Sequence, residues 1–434
     1  MPVSNLSSVL AGPLLDLETC ILAAQSQIEY WLRSEWHTHA MVPFYGSVDL
    51  RNSGFKLAPV DMNLFPGGFN NLRSDCYPLA VQAAMAAVDR ICPEACHILL
   101  IPENHTRNEF YLHNVIVLVQ ILEQAGFEVR VGTVDPDKAE PVVLNVGNTT
   151  LTVEPVQRRE NRLMLADGFN PSMVLLNNDL SGGVPPLLCD IEQPIFPPLH
   201  AGWSIRRKTN HFRAYDKVCS AFAQLVSIDP WMINPLFSSC RGLDFQSRQG
   251  EDALSETIAA LLDRIREKYR EYDIKQDPFV IVKADAGTYG MGVMSVKRPE
   301  DVMGLNRKMR NKMSVIKEGV EVSEVIVQEG VYTFETIAGA VAEPVVYMMD
   351  KYVIGGFYRV HTERGIDENL NAPGMHFVPL SFDSACLPEH RAAPSCLPNH
   401  FYVYGVIARL SLLAASYELE TTLPASHGPS ITTD

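Results

Sequence analysis

This sequence of 434 residues is marked first by what it lacks. Its longest apolar run, Val115–Leu122, is interrupted by Gln120 and falls far short of the roughly 20 residues needed to span a bilayer. The opening MPVSNLSSVLAGPLLDLE has no charged stretch leading into an apolar one, so no signal peptide is expected. Cysteine is present but unorganised: the nine thiols are odd in number, irregularly spaced and contain no Cys-x-x-Cys pair. Reduced, mostly buried thiols are therefore expected in place of disulfides or a metal knuckle, with Cys92 and Cys96 structural. Cations are the minority charge, 36 Lys and Arg against 51 Asp and Glu, for a net −15 and a pI near 5.3. That balance argues against non-specific binding to nucleic acid or to an anionic membrane. It also requires any polyanionic ligand to be met by a local basic or N–H donor site. No internal repeat, low-complexity tract or Ser/His/Asp or Cys/His arrangement is evident. The expectation is a cytoplasmic protein without nucleic-acid or membrane partners; the sequence is silent on oligomeric state.

What is present is an ordinary globular composition, 47% hydrophobic, in a chain long enough for two or three domains. Residues 14–36 read as helix and 41–74 as a long irregular stretch. Asp75 is placed to cap a helix over Tyr77–Ile91. His97–Pro102 reads as a buried strand, Glu109–Gln124 as an apolar helix closed by Gly126, and Phe127–Val131 as a half-buried strand. That β-α-β unit, with a further strand at Met173–Leu176, predicts an α/β region with a parallel sheet. The Pro-rich run 185–198 is read as a crossing between layers or domains. From about residue 206 the pattern changes. Lys217–Val226 and 251–272 read as helices, the second with Leu254, Ile258, Leu261, Ile265 and Tyr269 in one stripe. Strands are expected at Phe279–Lys283, Gly292–Val296, Val325–Gln328, Ala342–Met348 and Val353–Val360, with a basic segment at 307–317 and a terminal helix over 402–419. The second half is thus α+β.

Chemistry is concentrated at Lys-Ala-Asp-Ala-Gly-Thr-Tyr-Gly-Met-Gly, residues 283–292. A strand ending in Lys283 leads into a loop carrying Gly287, Gly290 and Gly292, and a second strand follows. Such glycines let backbone N–H groups face a phosphate chain, and the lysine adds a point charge. The loop is neither a P-loop nor a dinucleotide fingerprint, since no Gly-Lys-Ser/Thr closes it and no helix follows. A plain hairpin turn is the alternative. Farther on, Val325–Val331 runs into a hinge able to flank an adenine, with Glu329 or Glu335 for a ribose. Arg359 ends a hairpin, and Asp367-Glu-Asn-Leu-Asn371 clusters oxygen ligands suited to magnesium.

In this order of elements the second half resembles the ATP-grasp superfamily and, within it, the ATP-grasp type of glutamate–cysteine ligase of proteobacteria. The 283–292 stretch carries the resemblance most specifically, and Ala58–Asn71 matches as well. The resemblance implies an ATP-grasp fold with an N-terminal α/β domain. It also implies a ligase that activates a carboxylate as an acyl phosphate, using ATP with Mg²⁺, or Mn²⁺ in its place. Lys283 would hold the phosphates, and Gly287, Thr288, Tyr289, Gly290 and Gly292 would fold over them. Gln328, Glu329, Val331 and Glu335 would surround the nucleoside. Arg359 would stabilise phosphoryl transfer. Asp350, Asp367, Glu368, Asn369 and Asn371 would supply the metal ligands, the family's strand carboxylate falling to Asp350, Asp367 or Glu368.

For an amino-acid substrate the candidates are Arg51, Asp61, Asn63, Asn70 and Asn71, with Glu103, Asn104, Arg107 and Asn108 following the 97–102 strand. The 58–71 stretch is equally readable as a surface loop. Arg206-Arg-Lys208 reads either as a solvated turn or as an anion-steering cluster, and His37 and His39 as surface or core residues without a metal. A division into 1–205, 206–331 and 332–434 is expected, with ATP between the last two parts. Three functions follow: glutamate–cysteine ligase, a related ligase for another substrate pair, or a nucleotide-binding protein without catalysis.

Overall fold

The structure, a computed structural model, describes residues 6–7, 13–39, 41–104, 108–287, 292–315, 319, 321–380 and 400–424. A six-stranded sheet has the order β11 (Ile195–Phe196), β10 (Met173–Asn177), β4 (His97–Pro102), β5 (Glu128–Thr133), β7 (Thr149–Pro155) and β6 (Val142–Val146). All neighbours in it are parallel except β6 at the edge. The expected β-α-β unit is its centre, with α4 (Glu109–Gln124) crossing from β4 to β5. The Pro-rich run returns to this sheet as β11. A short hairpin of β8 (Gln157–Arg159) and β9 (Arg162–Met164) stands apart.

A seven-stranded sheet is built on the hairpin of β17 (Ala340–Met349) and β18 (Tyr352–His361), with β19 (His376–Pro379) beyond β18. Along the other side of β17 lie first β16 (Thr336–Ile337), itself paired with β1 (Leu6–Ser7), and then β2 (Tyr45–Asn52) followed by β3 (Leu57–Asn63). The stretch 41–74 is therefore not wholly irregular. It contains a strand pair whose partner lies about 300 residues away in the chain, so one sheet joins segments from the first and last thirds. A four-stranded antiparallel sheet has the order β12 (Phe237–Arg241), β15 (Glu324–Glu329), β13 (Val280–Ala284) and β14 (Val293–Val296).

The helices pack these sheets together. The 14–36 segment is two helices, α1 (Pro13–Ala23) and α2 (Gln25–Thr38), divided at Ala24. In α3 (Tyr77–Ile91) the N-cap residue is Cys76 and accepts no side-chain bond, while Asp75 is taken by Arg73 at 2.5 Å. Helix α5 (Lys208–Val226) begins nine residues earlier than Lys217, because Lys208, Thr209, His211, Phe212 and Tyr215 are buried as well. The expected stripe of α6 (Glu251–Glu271) is buried against the four-stranded sheet, and α7 (Arg307–Ser314) follows β14. The last helix, α8 (His400–Thr421), is buried nearly all round in the core that includes α1, α2 and α5. Among the described residues no helix is long and apolar enough to cross a membrane. The seven described cysteines are free thiols, but only Cys219 and Cys240 are buried, which corrects the expectation of mostly buried thiols.

Candidate active site

The four-stranded and seven-stranded sheets meet at a cleft of about 350 Å³ that runs on to the loops after β4 and β10. Strand alternation supplies its polar lining. On β2, Ser47, Asp49 and Arg51 face the cleft while Val48 and Leu50 enter the core; on β3, Asp61 and Asn63 face it while Met62 is buried.

Asp49 and Asp61 stand directly opposite one another in the β2–β3 ladder. Like charges so placed repel, and each is met by its own cation. Arg359, on β18, donates from Nη1 to Asp49 Oδ2 at 2.9 Å and from Nη2 to Oδ1 at 3.3 Å. Lys208, at the start of α5, donates to both oxygens of Asp61 at 2.6 and 2.8 Å. Glu343 on β17 accepts from Arg359 Nη1 at 2.5 Å and from Arg51 Nε at 2.9 Å. Burial raises the Asp49 carboxyl; Arg359 opposes this, while the charges of Glu343 and Asp61 push it further up. Burial acts on Glu343 too, but the Arg51 and Arg359 guanidiniums hold it below the ordinary range. At Asp61 burial is outweighed by Lys208 and Lys283, which bring the carboxyl to about 2.

Among the described residues Lys283, on β13, has only neutral hydrogen-bond partners: the carbonyl of Val60 and Oε1 of Gln328, each at 2.7 Å. Burial, with repulsion from Lys208 and Arg51, lowers it to about 8 despite the attraction of Asp61. The Nε2 of Gln328 is buried without an acceptor among the described residues. Gly287 and Gly292, at the ends of the glycine loop, have φ of +101° and +60°, the left-handed region that favours glycine. Thr288, Tyr289 and Gly290 lie outside the described residues.

Gln328, Glu329 and Val331 border the cleft, but the side chain of Glu329 is not free. It accepts from Lys56 Nζ at 2.6 Å, Trp231 Nε1 at 3.1 Å and the Leu236 N–H at 2.9 Å. Glu335 is buried with Tyr404 and Asn52. Glu329 thus lines the cleft with its carboxylate engaged, and Glu335 lies buried outside the lining. Of the expected metal ligands, Asn369 and Asn371 line the cleft. Asp350 does not: it lies buried at the β17–β18 turn and accepts from Arg90 at 2.8 Å. Asp367 pairs with Lys297 at 2.6 Å, and Glu368 accepts from Arg364 at 2.9 Å and the Gly365 N–H at 2.7 Å. Each of the three is held by a neighbour away from the cleft lining.

Arg51, Asp61, Asn63, Asn70 and Asn71 all line the cleft, as does Asn108, whose side chain caps α4. Arg107 is outside the described residues; Glu103 accepts from the Asp179 N–H, and Asn104 pairs with Thr133. Arg206 does not form a solvated turn, being buried against Glu418 with two bonds of 2.9 Å. His39 is taken by Glu420. Sequence reasoning missed Asp49, Glu343 and the polar brace of the Gly67–Phe69 loop. There Asn114 Oδ1 accepts the N–H groups of Gly68 and Phe69 at 2.7 and 2.9 Å, and Tyr347 donates to the Gly67 carbonyl at 2.6 Å. The legible signal was the alternation Val48-Asp49-Leu50-Arg51, an apolar face and a polar one.

Residues 18–419 match the glutamate–cysteine ligase family. The chain belongs to that family. Its members are ATP-dependent ligases, and this chain is an enzyme of that class. A crystal structure from Methylobacillus flagellatus KT, of a candidate gamma-glutamylcysteine synthetase, has 60% sequence identity and a TM-score of 0.89. The alignment covers 98% of this chain and 100% of that one. A glutathione synthetase-like effector of Globodera pallida aligns over 84% of this chain and 80% of its own, at 9% identity and a TM-score of 0.34. The D-alanyl-alanine synthetase A of Vibrio cholerae aligns over 73% and 81%, at 12% identity and 0.34. At that score neither bears on the fold. No curated protein matches the chain.

A glutamate–cysteine ligase requires a divalent cation with its ATP, and the cleft's donors suit one. Asp49 and Asp61 present hard carboxylate oxygens on one face of the β2–β3 hairpin, beside Asn63, whose Oδ1 accepts the Phe65 N–H at 3.0 Å, and a cation, the Lys208 ammonium, already rests on Asp61. Among the described residues no group of three or more His, Cys, Asp or Glu is arranged to hold a metal. Magnesium needs no such group, being bound by one or two carboxylates together with substrate phosphates.

Proposed function

We propose that the chain joins the γ-carboxylate of glutamate to the amine of cysteine, with ATP-grasp chemistry in the cleft between the two antiparallel sheets. The observation carrying this reading is one cleft in which Lys283 has no charged hydrogen-bond partner among the described residues while Arg359 is held on two carboxylates. Lys283 and the glycine loop would bind the phosphates. Arg359 would face the charge that builds on the transferred phosphoryl group. A carboxylate oxygen of glutamate attacks the γ-phosphorus and ADP leaves. The cysteine amine then attacks the acyl carbon, loses a proton, and phosphate departs. Asp49, Asp61 and Asn63 would hold the magnesium, or manganese in its place, which supplies neutralisation of phosphate charge. The Asn63, Asn70 and Asn71 side of the cleft would receive the amino acids. Because an acyl phosphate is labile to water, closure of the glycine loop has a chemical purpose. The free thiols support a cytoplasmic setting.

The test is ADP release from ATP and Mg²⁺ with a panel of amino-acid pairs. Release that needs glutamate and cysteine together, with a dipeptide product, is expected. Release with another pair would keep the ATP site and reject the substrates. No release with any pair would reject the ligase reading.

A further inference from the structure

Lys208 is an odd residue to find where it is. Its side chain is only 7% exposed, lies over the Trp203 ring at 4.3 Å, and turns its ammonium to both oxygens of Asp61. Asp61 itself opens to the cleft, with its side chain 37% exposed. It faces Asp49 across the β2–β3 ladder, with Asn63 two residues along on the same face. The four charges of Arg51, Arg359, Asp49 and Glu343 cancel among themselves. That leaves Asp61 with Lys208 as its direct counter-charge, and Lys283 near by without one among the described residues.

We infer that Lys208 is the resident counter-cation of the divalent-metal site: its ammonium occupies the Asp61 oxygens in the ligand-free enzyme and must leave them when the metal binds. This rests on the ligase reading for the identity of the cation. Two carboxylates directly opposite one another repel, and a hairpin that keeps them for a metal needs a substitute charge while the metal is absent. An ammonium on a flexible four-carbon stem can fill that role and move off again. A metal arriving alone must displace Lys208 and leave it unpaired in a cleft that Lys283 already makes cationic, so it binds weakly. A metal arriving with a polyphosphate binds well, because the phosphates give the freed ammonium a new partner. Lys208 thereby makes metal binding depend on nucleotide.

The experiment is Mn²⁺ binding to the full chain, read by loss of the free-ion electron paramagnetic resonance signal, with and without inorganic triphosphate. Wild type should bind Mn²⁺ weakly alone and tightly with triphosphate. Lys208→Gln and Lys208→Met, which keep the stem over Trp203, should bind Mn²⁺ alone about tenfold more tightly and gain less from triphosphate. Asp61→Asn should lose Mn²⁺ binding in both conditions. Thermal melts of each variant establish that it is folded. Unchanged Mn²⁺ affinity in both folded Lys208 variants would overturn the inference, as would full Mn²⁺ binding by Asp61→Asn. The readout needs no turnover: the expected Mn²⁺ pattern without ADP release would reject the ligase reading alone, and ADP release without that pattern would reject this inference alone.

Discussion

Arg359 and Asp49 are 310 residues apart in sequence and lie on strands that do not pair with each other, yet their side chains are joined at 2.9 Å. Strand β17 runs between them, and its Glu343 takes the same guanidinium nitrogen. One cation thus ties three strands together on the floor of the cleft while its Nε has no partner among the described residues.

Replacing Arg359 should therefore act on two observables. Arg359→Lys keeps the charge but loses the planar fork, and turnover should fall by on the order of 10²-fold. Arg359→Ala should fall at least as far and also lose about 3–5 kcal/mol of stability, since Asp49 and Glu343 are left with less compensation. Steady-state kinetics and urea denaturation of both variants check this. Wild-type turnover in Arg359→Ala would remove the residue from the chemistry.

Lys283→Ala should affect binding more than chemistry. A charge-assisted contact to phosphate contributes about 1.5–3 kcal/mol, so affinity for a non-hydrolysable ATP analogue should weaken by roughly ten- to a hundredfold. Calorimetric titration measures it, and an unchanged Kd would place the phosphates elsewhere.

The fully buried Lys56–Glu329 pair should prove structural. Lys56→Ala strands a buried carboxylate and should cost about 3–5 kcal/mol in a denaturant titration. Combining Lys56→Met with Glu329→Gln should recover much of that loss. If the double variant is no better than Lys56→Ala, the cost lies in lost packing on Trp231, whose ring lies 4.2 Å from the ammonium.

Acid stability should depend on Glu418. Burial alone would raise its carboxyl, but Arg206 and His211 bring it to about 2 from an ordinary 4.5. A depressed folded-state value stabilises the fold above the unfolded value, and that stability is lost as the pH falls from 4.5 toward 2. The effect is on the order of 3 kcal/mol. Glu418→Gln should be less stable at neutral pH and show a shallower loss over that window in pH-dependent urea melts.

The sequence was most legible where local rules suffice. Helices α3 and α4 and the β-α-β unit follow from short-range apolar patterns and a helix-ending glycine. So does the glycine hairpin, because its chemistry lies within ten residues. It was least legible at β2 and β3. Their cleft-facing Ser47, Asp49, Arg51, Asp61 and Asn63, with Pro59 and several glycines near by, make the stretch look like a polar loop. The apolar alternation of Val48 and Leu50 was the weaker signal, and the partner strand is remote in sequence. The 367–371 stretch reads as a metal site because it is dense in oxygens. Composition cannot reveal that of this stretch Asn369 and Asn371 line the cleft while Asp367 and Glu368 lie outside the lining, beside Lys297 and Arg364.

The insertion of β2 and β3 beside β17 has a consequence for how the protein is made. A ribosome releases the hairpin bearing Asp49 and Asp61 long before the strand that must cover its edge has been synthesised. Until β17 emerges, that edge is open and the two carboxylates lack Arg359. An N-terminal fragment ending before residue 340 lacks the β17 and β18 residues that complete the cleft beside β2. Nascent chains should gain protease resistance in this region late and in one step, when the last hundred residues arrive.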